Sequence, residues 1–393
     1  MGASAEPAQT YDLLLKGGRV LDPKNGVDDQ RDVAIAAGKI ARVAADIPTS
    51  AAAKVVDVSG LLVTPGLVDI HVHYFTAVGP YGISPDDHAL PYGVTTAVDA
   101  GTAGWQNFEE FKTKVIDRAR CRLLAMVNVV STGMAVPETE QVLSEMNAQR
   151  AAEVALRYPE IVVGIKTAHY MQPGWGAVDC AIEAGRLANL PAMFDFAPRP
   201  ERSYRDLLLE KLRPGDMHTH IYARHIPSLD PQGKVYDYVF AAREKGVIFD
   251  LGHGGGSFWF RIAVPDLAQG YYPDSISTDQ HAFSVHGPVF NMAAVCSKML
   301  NLGMPLNEVI YRSTVTPAQQ IRRPELGTLS EGAEADVAVF KLEEGEFGFW
   351  DCGRGKINGR WNLDCQLTLR AGQIVHDLNG RSMAEWQTLG PDY

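Results

Sequence analysis

The chain has 393 residues, 46% of them hydrophobic and 21% charged, with 47 acidic against 36 basic side chains and a net charge of -11. That length exceeds one small core and points to two domains, or to a barrel with an appendage. The acidic balance argues against nucleic acid as a partner, and no apolar run reaches the roughly 18 residues of a membrane span.

Residues 1–10 are small and polar and are expected to form a flexible tail without the features of a signal peptide. The five cysteines, Cys121, Cys180, Cys296, Cys352 and Cys365, are scattered and include no Cys-x-x-Cys pair, which suits a reducing cytoplasm. From residue 11 to 64, short alternating runs are separated by glycine turns. Examples are Tyr11-Asp-Leu-Leu-Leu-Lys, Asp32-Val-Ala-Ile-Ala, Lys39-Ile-Ala-Arg-Val and Val55-Val-Asp-Val. They predict a small antiparallel sheet. Ala335-Asp-Val-Ala-Val-Phe and the run from Cys365 to Val375 look alike. Neither end is long enough for its own core. Residues 11–64 and 326–393 are therefore expected to join in one β-sandwich domain.

Between them, over 65–325, apolar strands alternate with helical stretches. Strands are expected near 67–74, 94–99, 123–130, 161–166, 191–196, 217–222, 247–253 and 275–279. Helices are expected at 107–119, within 137–158, and at 178–188, 236–245 and 288–302. Eight such units predict an α/β fold of the (β/α)8 TIM barrel type, whose chemistry sits at the C-terminal ends of the strands. The first strand carries Val68-Asp-Ile-His-Val-His73, with Asp69, His71 and His73 on one face by simple alternation. Two imidazoles so placed can share a metal ion, the plain alternative being two core histidines. Later strand ends supply Lys166, Asp195, His220 with His218, His253 and Asp279. Asp99, on the second strand, reads as a structural acceptor. Imidazoles with carboxylates select borderline divalent ions such as zinc.

Val63-Thr-Pro-Gly-Leu-Val-Asp-Ile-His-Val-His, Val163-Gly-Ile-Lys166, Gly252-His253-Gly254 and Ser277-Thr-Asp279 together resemble the amidohydrolase superfamily, and within it the dihydroorotase-like amidohydrolase/deacetylase group. The resemblance runs over nearly the whole chain from Tyr11. It implies two divalent metal ions, zinc being expected. His71, His73 and Asp279 would hold the first, and a carboxylated Lys166 would bridge to the second, with His220 a further ligand. It implies Asp279 as the acid–base group and His253 over the substrate. Where the group has a histidine at the end of the fifth strand, this chain has Asp195, and it gains His218 on the sixth. Either could ligate the second ion, or the site could hold one ion only.

Weaker candidates for substrate contact are His169, Tyr170, Trp175, Arg261 and His281, with Trp105 also in a glycine-rich loop. His225 beside Arg224 reads as a surface pair. The implied activity is hydrolysis of an amide or ester bond in a small molecule, deacetylation first. Cyclic amide opening and deamination are the alternatives, and a barrel without catalysis is a third. Barrels of this type commonly associate, so a homo-oligomer is compatible with the sequence.

Overall fold

The computed structural model describes residues 10–390; the expected tail, apart from Thr10, lies outside the described residues. The chain forms a TIM-barrel-like fold with a second domain. Seven strands make a parallel sheet in sequence order: Leu67–Val72, Val94–Gly104, Arg122–Asn128, Val162–Thr167, Ala192–Phe194, Met217–His218 and Ile248–Phe249. Residues 275–280 bring the sheet back to its start. Leu251 and Gly254 donate to the carbonyls of Ser275 and Thr278 at 3.0 and 2.9 Å. On the other side, Asp279 donates to His71 O at 2.7 Å, and His73 donates to Gln280 O at 2.9 Å. Parallel strands must be covered on both faces, which is why their sequences are nearly continuous apolar runs.

Simple alternation along the first strand does not hold. Val68 and Ile70 join the barrel interior with Val98, Ala100, Leu124, Met126, Val163, Met193 and Met217, closed below by Ala318, Ile321 and Leu326. Val72 packs with the outer, helical layer. The register against the second strand shifts between Asp69 and Val72, and that shift turns both imidazoles toward the mouth.

The strands of both termini do combine, in one eight-stranded mixed sheet. Tyr11–Asp22 is its centre, antiparallel to Val27–Ala36 and parallel to Ala52–Asp57 and Leu62–Pro65. Leu62–Pro65 pairs in turn with the C-terminal strand Val337–Trp350, which is where the two ends of the chain meet. Leu15, Val20, Val33, Val63, Val337, Val339 and Leu367 form the core of that junction. The C-terminal hairpin, Val337–Trp350 with Lys356–Arg370, is longer than the sequence pattern suggests. Its distal half carries mixed charged and aromatic residues, because its support is a helix rather than a second sheet. Ser297 Oγ accepts from Leu363 N, and Asn301 Oδ1 accepts from Arg360 N and Trp361 N.

The helical expectations meet a similar limit. Of the stretch 137–158 only Ala148–Arg157 is α-helical, and 137–145 runs as short 3-10 turns across the barrel mouth. Phe260–Ala268, Leu306–Tyr311 and Val315–Gln320 are helices that the apolar periodicity did not reveal, being short and interrupted by Pro265 and Pro317.

Asp250 ties the closing strands together. Its carboxylate accepts from Ser275 Oγ at 2.6 Å, Ser277 Oγ at 2.8 Å and Thr219 Oγ1 at 2.8 Å, and none of it reaches solvent. Asp250→Ala leaves three buried hydroxyls without their acceptor. It is expected to cost on the order of 3–5 kcal/mol, read as a lower urea midpoint at an unchanged slope.

Candidate metal centre

The strand ends converge at the mouth. His71 Nε2 and His73 Nε2 lie 3.5 and 3.0 Å from Asp279 Oδ1. One ligand atom from each of these three side chains lies within 4.8 Å of the others. Lys166 Nζ is 3.2 Å from His71 Nε2 and 3.6 Å from Met193 Sδ. On the far side, His220 Nε2 lies 3.9 Å from Asp195 Oδ2 and 4.0 Å from Asp279 Oδ2. His71, His73, Lys166, Asp195, His220 and Asp279 thus surround one small inner cavity of about 40 Å³.

The outward-facing nitrogens are all occupied. His71 Nδ1 is 3.0 Å from Thr219 Oγ1, whose own proton goes to Asp250, so the imidazole is the donor. His220 Nδ1 donates to the Gly252 carbonyl at 2.6 Å, and His73 Nδ1 meets Thr102 Oγ1 at 2.7 Å. With Nδ1 held in this way, the Nε2 lone pair is free to face the cavity, as a ligating imidazole requires. This donor set fits a divalent metal ion at His71, His73 and Asp279. Asp99, as expected, is structural, accepting from Tyr74 N and Thr102 N.

Charge states agree with that use. Burial and the neighbouring Lys166 push His71 down to about 3, so its ring is neutral. Burial alone would raise the Asp279 carboxyl, but the imidazoles around it, His73, His281 and His220 among them, hold it well below the usual range. Asp195 is lowered likewise, against its burial, by His220, His169 and Lys166. Burial also lowers Lys166, against the pull of Asp195 and Asp279. His169, His220 and Asp279 all have left-handed backbones, with φ of 55°, 65° and 48°. Such strain in non-glycine residues persists only where the surroundings enforce it, commonly at functional sites.

A wider cavity of about 840 Å³ opens above the cluster, walled by His169, Asp195, Arg199, His220, His225, Asp279 and His281 among others. Two weaker candidates, His169 and His281, therefore reach it. His225, exposed beside Arg224 as expected, borders the same cavity. Tyr170 does not: it is buried, and its carbonyl accepts from Arg202. Trp175 stacks on Phe196 at 5.7 Å, Trp105 donates to Val129 O, and Arg261 sits exposed on the helix Phe260–Ala268. Tyr81, Glu140 and Arg199 carried no sequence signal, since loops of the barrel bring them in.

Two histidines of the expected set turn away. His218 faces the outer layer, with Nδ1 3.3 Å from Phe194 O and its ring against Tyr204. The left-handed backbone at His220 breaks the alternation that would have aligned the two. His253 is fully buried, stacks on Phe258 at 4.5 Å, and directs Nε2 to Lys298 Nζ at 2.6 Å. It does not line the cavity, so the geometry does not offer it to a substrate.

A parallel barrel whose mouth gathers such a cluster defines a metal-dependent hydrolase as the class of protein. No protein-family model matches the chain. It is 32% identical over 318 residues to a deacetylase of Agrobacterium fabrum, covering 79% of this chain and 77% of that one. A crystal structure described as an adenine deaminase superposes with a TM-score of 0.86 at 30% identity, covering 93% of this chain and all of that one. One described as a dihydroorotase gives 0.81 at 28% identity, covering 93% and 99%. The chain belongs to the amidohydrolase superfamily and is a metal-dependent enzyme of that family.

Lys298 offers a test of the buried pair beneath the site. Its ammonium donates to Pro288 O at 3.1 Å and Trp350 O at 2.8 Å. Burial lowers it from 10.5 to about 7, although Cys352 and Asp351 act the other way. Between these values the unfolded chain binds the proton and the folded chain does not, so this group makes stability rise with pH. Urea midpoints at pH 7.5 and 9.5 should show a smaller rise in Lys298→Met than in the wild type.

Proposed function

We propose that this protein is a binuclear deacetylase, removing an acyl group from nitrogen or oxygen of a small molecule. The observation that carries this reading is the two-sided cluster, with His71, His73 and Asp279 on one side and Asp195 and His220 on the other, Lys166 between them. Its likeness to a deacetylase over most of both chains supports the choice of bond. Zinc is the expected metal, from the donor set.

Lys166 is the proposed bridge. Its buried, lowered amine is suited to lose a proton and take up carbon dioxide as a carbamate. Gly101 lets the Lys166 stem pass, since a Cβ there would stand 2.6 Å from Lys166 Cβ, and Lys166 itself borders the small inner cavity. When bound, the ions supply Lewis acidity, making water a stronger acid and the substrate carbonyl a better electrophile. Asp279, ionised and open to the cavity, takes the proton from the attacking water and returns it to the leaving nitrogen or oxygen. Tyr81, beside His73 and His281, is the proposed donor to the developing oxyanion, since His253 is turned away to Lys298. Arg199 has no carboxylate partner among the described residues, and its place in the cavity wall suits an acidic group of the substrate.

The same reading takes 65–325 as the catalytic barrel, with 11–64 and 326–393 as a small β-sandwich domain. Two separate apolar clusters on that sheet, one around Val33 and Val337 and one around Leu14 and Ala34, support two layers. A cytoplasmic home is consistent with five cysteines that form no disulfide. No helix among the described residues is long and apolar enough to cross a membrane.

A panel of N-acetyl amino acids, acetylated hydroxy acids and cyclic amides tests the function, with product identified in each case. Acetate release is expected, abolished by chelator and restored by zinc. Asp279→Asn should lower kcat by about 10²–10⁴-fold. Ammonia or a ring-opened product as the main outcome, or activity indifferent to chelation, would replace this reading.

A further inference from the structure

Of the five imidazoles that line the inner cavity, four fall into two like groups, His281 standing apart from both. His71 and His73 direct Nε2 at one oxygen of Asp279, at 3.5 and 3.0 Å. His220 and His169 direct Nε2 at one oxygen of Asp195, at 3.9 and 3.3 Å. The first group is a ligand set by any ordinary criterion. The second repeats its composition, two imidazoles and one carboxylate, in a wider arrangement whose ligand atoms are not all within 4.8 Å of one another, and His169 comes from the loop after the fourth strand and not from a strand end.

From this repetition we infer that His169 is a ligand of the second metal ion, and that Glu140 is the residue that positions it. The inference rests on the binuclear reading given above and adds to it the imidazole that the fifth strand, ending in Asp195, does not provide.

Three further observations point the same way. His169 Nδ1 donates to Glu140 Oε2 at 3.0 Å, so its Nε2 is the free nitrogen, as in His71 and His220. A carboxylate behind an imidazole is the usual means of fixing a ligating ring and raising its basicity. Glu140 is itself buried, only 1% exposed, and its Oε1 has no hydrogen-bond partner. Burying a carboxylate whose only partner is one imidazole is costly. That cost is offset when the imidazole is positively polarised, which a proton supplies in the metal-free protein and a metal ion supplies when bound. The backbone is also held for the purpose. His169 takes a left-handed φ of 55°, and Gln141 clamps the turn, its amide donating to His169 O at 2.7 Å and accepting from Met171 N at 2.9 Å. A surface ion pair would need neither the strained backbone nor the clamp.

This assignment gives a role to the 3-10 segment Pro137–Gln141, which crosses the mouth and contributes both Glu140 and Gln141. Each ion would then have two histidines and one aspartate of its own, with Lys166 shared.

Cobalt(II) titration of the metal-free protein tests this without reference to turnover. Bound cobalt shifts the exchangeable N–H protons of its imidazole ligands far downfield in the proton NMR spectrum, one resonance per ligand. The wild type is expected to bind two equivalents and to show four such resonances. His169→Ala should keep the first ion, weaken the second at least tenfold and show three resonances. Glu140→Gln should weaken the second ion by about 10–100-fold, the range for loss of an orienting partner. Arg199→Ala, in the cavity wall but away from the cluster, should bind both ions as the wild type does. If His169→Ala does not fold, judged by circular dichroism, His169→Gln takes its place. Two equivalents at unchanged affinity with four shifted resonances in the His169 variant would overturn the assignment alone. A single equivalent in the wild type would overturn the binuclear reading as well, so the two failures are distinguishable.

Discussion

One buried carboxylate governs the geometry of this barrel's mouth. Asp250 has no solvent contact, and its charge is made tolerable by three hydroxyls from the sixth and eighth strands that converge on it and by His71 Nδ1 at 3.5 Å. Those hydroxyls fix the register where the sheet returns to its start. One of them, Thr219, having given its proton to Asp250, can only accept from His71 Nδ1. A carboxylate behind His71, outside the cavity lining, therefore determines which nitrogen of the ring carries the lone pair at the metal centre.

The same device recurs around the cluster with different chemistry. A carbonyl holds His220, a threonine hydroxyl holds His73, and a carboxylate holds His169. In each case the acceptor comes from another strand or loop, so no ring is oriented by its own segment. The left-handed backbones at His169, His220 and Asp279 carry the cost of this arrangement. Their strain is sustained by the packed interior beneath, from Val68 and Ile70 to Met217.

The second domain also acts on the mouth, although it lies outside the barrel. The long C-terminal hairpin reaches back across the helix Met292–Asn301, and Trp350 O accepts from Lys298. Lys298 in turn holds His253, which is how a histidine of a recognisable family motif comes to face the protein's interior rather than the cavity. In this chain that motif serves the joint between barrel and hairpin.

Much of this was legible before folding. The eight apolar runs, the His-x-His pair, and Lys166, Asp195, His220 and Asp279 at strand ends are local patterns, because a parallel strand buried on both faces must be apolar until it reaches the mouth. The joining of the two termini was legible too, since neither end had enough apolar surface alone. Side-chain direction was not. It depends on a register shift between Asp69 and Val72 and on a positive φ at His220, and both are imposed by neighbouring strands. For that reason alternation misplaced Val68 and Ile70 and aligned His218 with His220. The loops were the least legible part, because Tyr81, Glu140, Arg199 and His225 reach the site only through long-range packing. By itself the sequence determined that a pair of histidines stands at the end of the first strand of a barrel. Only the tertiary structure decided which nitrogen each imidazole presents, because the hydrogen-bond acceptors that hold the other nitrogen come from elsewhere in the chain.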